Sequence, residues 1–188
     1  MLPPLPVSPP QAAEIAAALA CAHVHPQVIL LADLERPALA PRLTVIDLRG
    51  AHPRVVMRTQ VAQGHGWSNR AGSLDSSAGL YRVGAPYVGA HGESWHLHGL
   101  TPGWNTRARA RAIVLHDAWY VGPRFVAESW GCPAVSVAAL HTLRADHLLP
   151  PFARAWLWIR GPGIHRAPAL ACAAGRRAAA AQRHATDL

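Results

Sequence analysis

Residues 113–135 read IVLHDAWYVGPRFVAESWGCPAV. The apolar run Ile113-Val114-Leu115 is typical of a buried strand, and it ends at His116. Thirteen positions later the chain reaches Ser129-Trp130-Gly131-Cys132-Pro133. A strand that ends at an imidazole, followed by a short excursion and a Gly-Cys turn, supplies the parts of a thiol nucleophile with its base.

This chemistry needs these residue types. A free thiol is only slightly ionised at neutral pH, and a nearby imidazole can accept its proton. Gly131 permits a tight turn that brings backbone N–H groups close to the sulfur, where an oxyanion would form. Because Pro133 has no N–H, the oxyanion donors must come from Cys132 or from the residues before it. A lone cysteine, however, is more often a small buried hydrophobe than a nucleophile.

The same region resembles a known family, the L,D-transpeptidase catalytic domain with the YkuD-like fold, in the branch whose cysteine lies in Ser-x-Gly-Cys-Pro. The resemblance extends from about residue 12 to about residue 160. Besides the Cys132 motif it rests on short matches in the family's order: Ser68-Asn69, Gly72-Ser73, Ser76-Ser77-x-Gly79-x-Tyr81, His91-Gly92-x-Ser94, Leu97-His98-Gly99-Leu100, Gly103-x-Asn105 and Arg111-Ala112-Ile113-Val114.

The resemblance implies a two-step acyl transfer without a cofactor or a metal. His116 would deprotonate Cys132, which would attack the carbonyl before the terminal D-alanine of a peptidoglycan tetrapeptide stem. An amine from a second stem would then take the acyl group and form a 3-3 cross-link, whereas water would make the protein an L,D-carboxypeptidase. Carbapenem-type β-lactams, which acylate this family, would label the cysteine.

The resemblance also assigns the other site residues. Gly131 belongs to the oxyanion turn with its neighbours, and Ser129 would orient the histidine or bind substrate. The expected substrate-binding residues are His98, Arg111, Tyr81, Trp130 and Asn105, with Arg111 holding a stem carboxylate.

Three features depart from the family pattern. Asp117 stands where the family usually has glycine after the base, and it would either raise the histidine pKa or point to solvent. The segment between base and nucleophile is a few residues shorter than usual. Many relatives have a second histidine where this chain has Trp130. A cell-wall-binding module that has kept the fold and lost turnover therefore remains an alternative.

A second alternative is a zinc-dependent hydrolase. His96 and His98 are two residues apart on a predicted strand, so both face the same side of the sheet. With His91 or His116 they would make a set of imidazole ligands. No carboxylate or cysteine is spaced to complete that set, and hydrogen-bonded structural histidines are the simpler explanation of the pair.

Composition limits the remaining possibilities. The 188 residues suit one domain with a substantial core, and 51% of them are hydrophobic. The net charge of +8 is compatible with nucleic acid, an anionic membrane or an anionic cell-wall polymer. No lysine-rich run or aromatic-interleaved basic stripe favours nucleic acid. The three cysteines, Cys21, Cys132 and Cys172, show neither metal spacing nor a disulfide framework.

The chain order predicts a mainly β fold with α, an antiparallel sandwich with flanking helices. Strands are expected at 28–31, 43–48, 55–61, 80–83, 91–100, 113–115 and 155–159, and helices at 11–22 and 137–147, with Ser8 and Ser136 as N-caps. Arg107, Arg109 and Arg111 alternate as though along a strand edge.

The predicted domain organisation is a flexible proline-rich leader at 1–10, a catalytic domain at 11–162 and an alanine- and arginine-rich tail at 163–188. No run is long enough to span a membrane, and the N-terminus shows no clear signal peptide. The family implies peptidoglycan stem peptides as partners and the cell envelope or periplasm as location. We expect a monomer.

Overall fold

The computed structural model describes residues 2–164, and they form eight strands and two helices. The elements are α1 (Pro9–Ala22), β1 (Val28–Asp33), β2 (Leu43–Asp47), β3 (Arg54–Thr59), β4 (Gly79–Gly89), β5 (Gly92–Gly99), β6 (Val114–Asp117), β7 (Ala134–Val135), α2 (Val137–Ala145) and β8 (Ala155–Arg160). The predicted fold class, mainly β with flanking helices, is confirmed.

All eight strands belong to one sheet in the order β3-β2-β1-β8-β4-β5-β6-β7. Five of the seven neighbouring pairs are antiparallel, and only β1–β8 and β6–β7 are parallel. The predicted sandwich is therefore built from a single curved sheet. β1 is buried along its whole length, because its alternate side chains enter two different hydrophobic clusters.

The two clusters lie on opposite faces of the sheet. The inner cluster collects side chains from seven of the eight strands and from α2, for example Leu30, Tyr81, Leu115 and Leu143. The outer cluster packs Ile15 and Leu19 of α1 against the other face. Side chains from both ends of the sheet meet in the inner cluster, which is possible only because the sheet curls.

An isolated bridge nearly closes the curled sheet. Ala62, just after β3, pairs with Ala134 of β7, and its N–H donates to the Ala134 carbonyl at 2.7 Å. Both alanines are fully buried, so the two edges of the sheet approach closely. The closure fixes β7, and β7 follows the Cys132 turn directly.

The two helices begin where the sequence predicts a cap. Ser8 precedes α1, its N–H donates to the side chain of Gln11 at 3.3 Å, and Pro9 occupies the first helical turn. Ser136 accepts a hydrogen bond from the N–H of Ala139 at the start of α2. Helix α2 is followed by β8.

One prediction is wrong, and those about the two ends of the chain stay predictions. Residues 101–112 form successive turns, so Arg107, Arg109 and Arg111 do not alternate along a strand. Of the predicted leader, Leu2, Leu5 and Val7 pack in or against the outer cluster and Pro9 and Pro10 begin α1, whereas Pro3, Pro4 and Pro6 are exposed. The division of the chain into leader, domain and tail stays a prediction. The predicted tail from 165 onward, with Cys172, lies outside the described residues.

Candidate active site

Strand β6 carries His116 into the interior, and Asp117 is the last residue of that strand. The His116 side chain is 2% exposed, and its Nδ1 lies 2.8 Å from the backbone carbonyl oxygen of Asp117. Because a carbonyl oxygen can only accept, Nδ1 must donate its proton there. The lone pair of the neutral ring is then on Nε2, which is the tautomer that a general base requires.

The surroundings of His116 favour its neutral form. Burial lowers the pKa of this imidazole and is the largest influence on it. The hydrogen bond to the Asp117 carbonyl and the Asp117 charge raise the pKa, but their effect is smaller. The sequence left open whether Asp117 raises the histidine pKa or points to solvent. Its charge does raise the His116 pKa, but burial lowers that pKa by more.

A second imidazole covers the base. His91, in the turn between β4 and β5, stacks on His116 with ring centroids 4.4 Å apart and an angle of 24° between the planes. The charge of His91 contributes to lowering the His116 pKa. The sequence identified His91 only through a family motif and as a possible zinc ligand, and nothing in it predicted this stack.

The turn before the cysteine has room only for glycine. Gly131 has φ of +100°, and a Cβ on it would lie 2.5 Å from the carbonyl oxygen of Asp75. Ser129 closes the turn, because its hydroxyl donates to the Cys132 carbonyl at 2.6 Å and its N–H to the Gln63 carbonyl at 2.7 Å. Its hydroxyl is thus engaged within the turn, whereas the sequence suggested contact with the histidine or with substrate.

Cys132 lies at the edge of β6. Its sulfur accepts a hydrogen bond from the Val114 N–H at 3.4 Å and lies 3.9 Å from the Ala112 carbonyl oxygen, to which the thiol donates. The side chain is half-buried, and burial raises the pKa of the thiol. The Val114 N–H and the charge of Arg111 act in the opposite direction.

The Cys132 sulfur is therefore held at β6, the strand that carries the His116 imidazole. Val114, which holds the sulfur, is two residues from His116, a span of about 7 Å along an extended strand. Among residues 2–164 no hydrogen bond links the Cys132 thiol to the His116 ring. Both groups are neutral in this arrangement, because the thiol pKa is raised and the imidazole pKa is lowered.

Three backbone donors beside the sulfur are unused. Within the described part of the chain, the N–H groups of Trp130, Gly131 and Cys132 have no hydrogen-bond acceptor. Unpaired N–H groups next to a nucleophile are the usual donors of an oxyanion hole. Trp130 itself projects outward with 78% of its surface exposed.

Arg111 lies beneath this turn and holds the serine- and glycine-rich loop 68–77. Its Nη1 donates to the Ser68 carbonyl at 2.7 Å, and its Nη2 donates to the carbonyls of Asp75 and Ser73 at 2.5 and 3.3 Å. The loop therefore borders the turn that carries the cysteine, since the Asp75 carbonyl also faces Gly131. The carboxylate-binding role of Arg111 stays a prediction, and these contacts give its guanidinium a different task.

Tyr81 and Asn105 are fully buried. The Tyr81 hydroxyl donates to the Ser77 carbonyl, and Asn105 bonds the Thr101 N–H and the Leu80 carbonyl. Neither presents a free polar group to a substrate, because the fold already uses those groups. The two residues therefore support the site from behind, which differs from the direct substrate contact that the sequence suggested.

The two histidines of β5 share a face, as predicted, but they do not form a metal site. His96 stacks on Tyr87 with centroids 4.1 Å apart, and the ring of His98 lies 2.7 Å from where a Cβ on Gly84 would be. Across residues 2–164, no group of three or more histidine, cysteine, aspartate or glutamate side chains is arranged to hold a metal ion. Burial lowers the pKa of both imidazoles.

The segment between base and nucleophile is a compact excursion with aromatic side chains. Val121 and Val126 bridge within it, and the Gly122 N–H donates to the Phe125 carbonyl at 2.8 Å. Trp119 is 86% exposed beside this bridge. Neither Trp119 nor Phe125 was singled out from the sequence, because an aromatic residue in a loop carries no signal of exposure.

Residues 10–146 match the family model of the L,D-transpeptidase catalytic domain, which is more than half of the chain. The chain belongs to this family. A comparison with curated protein sequences finds no match. In this L,D-transpeptidase domain, Cys132, His116 and the Arg111 loop all lie within the matched residues.

Solved structures are similar to this chain at low sequence identity, and the first of them has the same fold. The helical cell shape determining protein Pgp2 from Campylobacter jejuni is 12% identical with a TM-score of 0.51, over 78% of this chain and 54% of that chain. An L,D-transpeptidase from Xylanimonas cellulosilytica is 17% identical with a TM-score of 0.45, over 72% and 61%. The transpeptidase domain thus spans between half and two thirds of the length of these proteins.

Proposed function

We propose that this domain is a peptidoglycan L,D-transpeptidase with Cys132 as the nucleophile and His116 as the base. The observation that carries the proposal is the position of the Cys132 sulfur. It is held by the Val114 N–H on the strand that carries His116, next to the free N–H groups of Trp130, Gly131 and Cys132.

The first half-reaction acylates the cysteine. Nε2 of His116 takes the thiol proton, and the thiolate attacks the carbonyl carbon between the third residue of a donor stem and its terminal D-alanine. The carbonyl electrons move onto the oxygen, which the three free N–H groups stabilise. The tetrahedral adduct collapses, the C–N bond breaks, His116 returns the proton to the leaving amine, and a thioester remains.

The second half-reaction regenerates the enzyme. The side-chain amine of an acceptor stem loses a proton to His116 and attacks the thioester, and the thiolate leaves and is reprotonated. The product is a 3-3 cross-link. Water in place of the amine gives a tripeptide stem, which is the carboxypeptidase outcome.

The exposed surface around the sulfur supports a polymeric substrate. Trp130, two residues before Cys132, and Trp119, three residues after His116, are both largely exposed, and exposed apolar groups next to a reactive centre commonly mark a binding surface. Within residues 116–132 the only acidic side chains are those of Asp117 and Glu128.

Because the substrate belongs to the cell wall, we place the protein's action in the cell envelope. Among residues 2–164 no helix is long and apolar enough to cross a membrane.

The deciding experiment is incubation of the protein with a disaccharide-tetrapeptide, followed by mass spectrometry of the products. A dimer that has lost one D-alanine identifies the transpeptidase, and a tripeptide product identifies the carboxypeptidase. Cys132→Ala is the control. Retention of the muropeptide without any product, in wild type and variant alike, would instead identify a binding module that has lost turnover.

A further inference from the structure

We propose that Arg111 is the fixed cation that stabilises the Cys132 thiolate, so that it positions and ionises the nucleophile instead of binding the donor's carboxylate. The inference rests on the proposed role of Cys132 as nucleophile. The experiment that tests it measures the ionisation of the thiol and needs no turnover. The inference can therefore be supported or refuted independently of the transpeptidase reaction.

The guanidinium lies directly under the nucleophile's turn. Its Nη2 is 3.3 Å from the point where a Cβ on Gly131 would be. The sulfur of Cys132 contacts Ala112 and Val114, the first and third residues after Arg111. The cation and the thiol are thus placed by the same short piece of backbone.

The guanidinium is fixed, yet no acid neutralises it. Its partners in loop 68–77 are the carbonyls of Ser68, Ser73 and Asp75 and the hydroxyls of Ser73 and Ser77. All of these are uncharged acceptors, and Asp75 contributes only its backbone oxygen. No carboxylate of residues 2–164 lies within ion-pair distance of Arg111, so its full charge acts on its surroundings.

One donor of Arg111 has no partner. The Nε atom is buried and makes no hydrogen bond within the described structure. A buried unsatisfied donor in a native fold calls for a physical reason. Here the reason is an anion that exists only after proton transfer, which leaves a negative charge on sulfur in a partly buried place.

Such a cation is needed because the Cys132 thiol and the His116 imidazole are both neutral before the reaction. Burial raises the thiol pKa, whereas Arg111 and the Val114 N–H lower it. The other titratable groups that sense the Cys132 charge are Tyr81 on β4 and Tyr120 after β6, and burial raises the pKa of both phenols. Both phenols stay uncharged at physiological pH, so Arg111 is the permanent charge beside the sulfur.

The test is the pH dependence of Cys132 alkylation by iodoacetamide, followed at the Cys132 peptide by mass spectrometry. We expect Arg111→Met to move the midpoint upward by one unit or more, so that alkylation at pH 7 slows about tenfold. Arg111→Lys keeps the charge and should fall between. Arg107→Met, at an exposed arginine four residues earlier, is the matched control and should leave the midpoint unchanged.

A second pair of variants keeps Arg111 in place. Ser73→Asp puts a carboxylate where the Ser73 hydroxyl lies 3.3 Å from Nη2, so it neutralises the cation. Ser73→Asn has nearly the same shape without the charge. We expect slower alkylation in Ser73→Asp only. This pair decides the matter if Arg111→Met does not fold.

Two results would overturn the proposal. One is a midpoint in folded Arg111→Met, or in Ser73→Asp compared with Ser73→Asn, that equals that of the wild type. The other is a higher KM for the donor in Arg111→Met with no change in alkylation, which would restore the carboxylate-binding role. A shifted midpoint in a protein that makes no cross-link would support this inference and count against the proposed function.

Discussion

At the scale of single residues, the site depends on side chains that differ sharply in what surrounds them. Cys132 is half-buried at a strand edge and packs against the inner cluster. His116 is enclosed and fixed by one carbonyl, and Gly131 is confined by the backbone of another loop. Each of these environments predicts a different response to substitution.

Cys132→Ala should abolish acylation and leave stability almost unchanged. The sulfur touches a backbone N–H and a carbonyl, so its removal leaves no large cavity. Intact-protein mass spectrometry with a carbapenem should show an adduct in the wild type and none in the variant, with melting temperatures within a few degrees. His116→Ala should slow the adduct strongly. An adduct that persists in Cys132→Ala would rule out this nucleophile.

Gly131→Ala should be far more disruptive than Gly103→Ala. Both glycines have positive φ, +100° and +79°, so both substitutions carry backbone strain of roughly 1 kcal/mol. Only at Gly131 would the new Cβ collide, at 2.5 Å, with the Asp75 carbonyl, whereas nothing lies within 4 Å of the Cβ position at Gly103. We expect a loss of about 2–4 kcal/mol and of acylation at Gly131. Equal denaturation midpoints would show that the turn adapts.

His91→Phe should move the acid limb of the pH–rate profile to higher pH. The charge of His91 lowers the His116 pKa, and phenylalanine keeps the stacked ring but not the charge. The neutral fraction of His116 then falls at mildly acidic pH, and kcat/KM falls with it. His91→Ala removes ring and charge together and serves as the comparison. An unchanged acid limb in both variants would leave His91 without a part in tuning the base.

At the scale of elements, β5 and β6 carry three imidazoles on one face, of which that of His116 is buried and those of His96 and His98 are half-buried. In antiparallel register Ser94 lies opposite His116 and His96 opposite Val114, so this face carries His96, His98 and His116. Burial lowers the pKa of all three. This strand pair should therefore be the part of the fold most sensitive to acid.

The free energy of unfolding should decrease as pH falls below about 6.5, the pKa of an unfolded histidine. The unfolded chain takes up protons there, and the native state does so only at lower pH because its three imidazoles have lowered pKa values. Urea denaturation at pH 5.0 and 7.5 should show the loss. His116→Gln should flatten the dependence, and His52→Gln, at an exposed turn, should not. A steeper dependence in His116→Gln would contradict this sign.

At the scale of the whole molecule, closure of the sheet connects distant parts of the chain to the nucleophile. The Ala62–Ala134 bridge joins the segment after β3 to β7, two residues after Cys132. The adjacent Ser129 N–H donates to the Gln63 carbonyl, so the same segment also holds the start of the turn. The cysteine is thus positioned from both sides by residues about 70 positions earlier in the sequence.

Ala62→Pro should weaken this closure and reduce acylation of Cys132 together with stability. Proline has no N–H to donate to the Ala134 carbonyl, and losing a buried hydrogen bond costs about 1–3 kcal/mol. Ala62→Gly keeps the N–H and is the control. Acylation rate and denaturation midpoint are the measurements. A stable variant that acylates like the wild type would show that the bridge does not position the nucleophile.

The sequence by itself determined most of the secondary-structure elements and suggested the chemistry. Apolar runs, caps at Ser8 and Ser136 and the Gly-Cys turn predicted seven of the eight strands, both helices and a thiol with an imidazole, because these features are local. The two-residue strand β7 was not predicted. The ordered motifs also indicated the family that residues 10–146 match.

Only the tertiary structure decided how those parts meet. It placed Arg111 under loop 68–77, His91 on His116 and Ala62 against Ala134, and it buried Tyr81 and Asn105. The physical reason is that these contacts arise where a curled sheet brings remote strands together. Curvature and closure depend on packing across the whole inner cluster, and no short stretch of sequence encodes them.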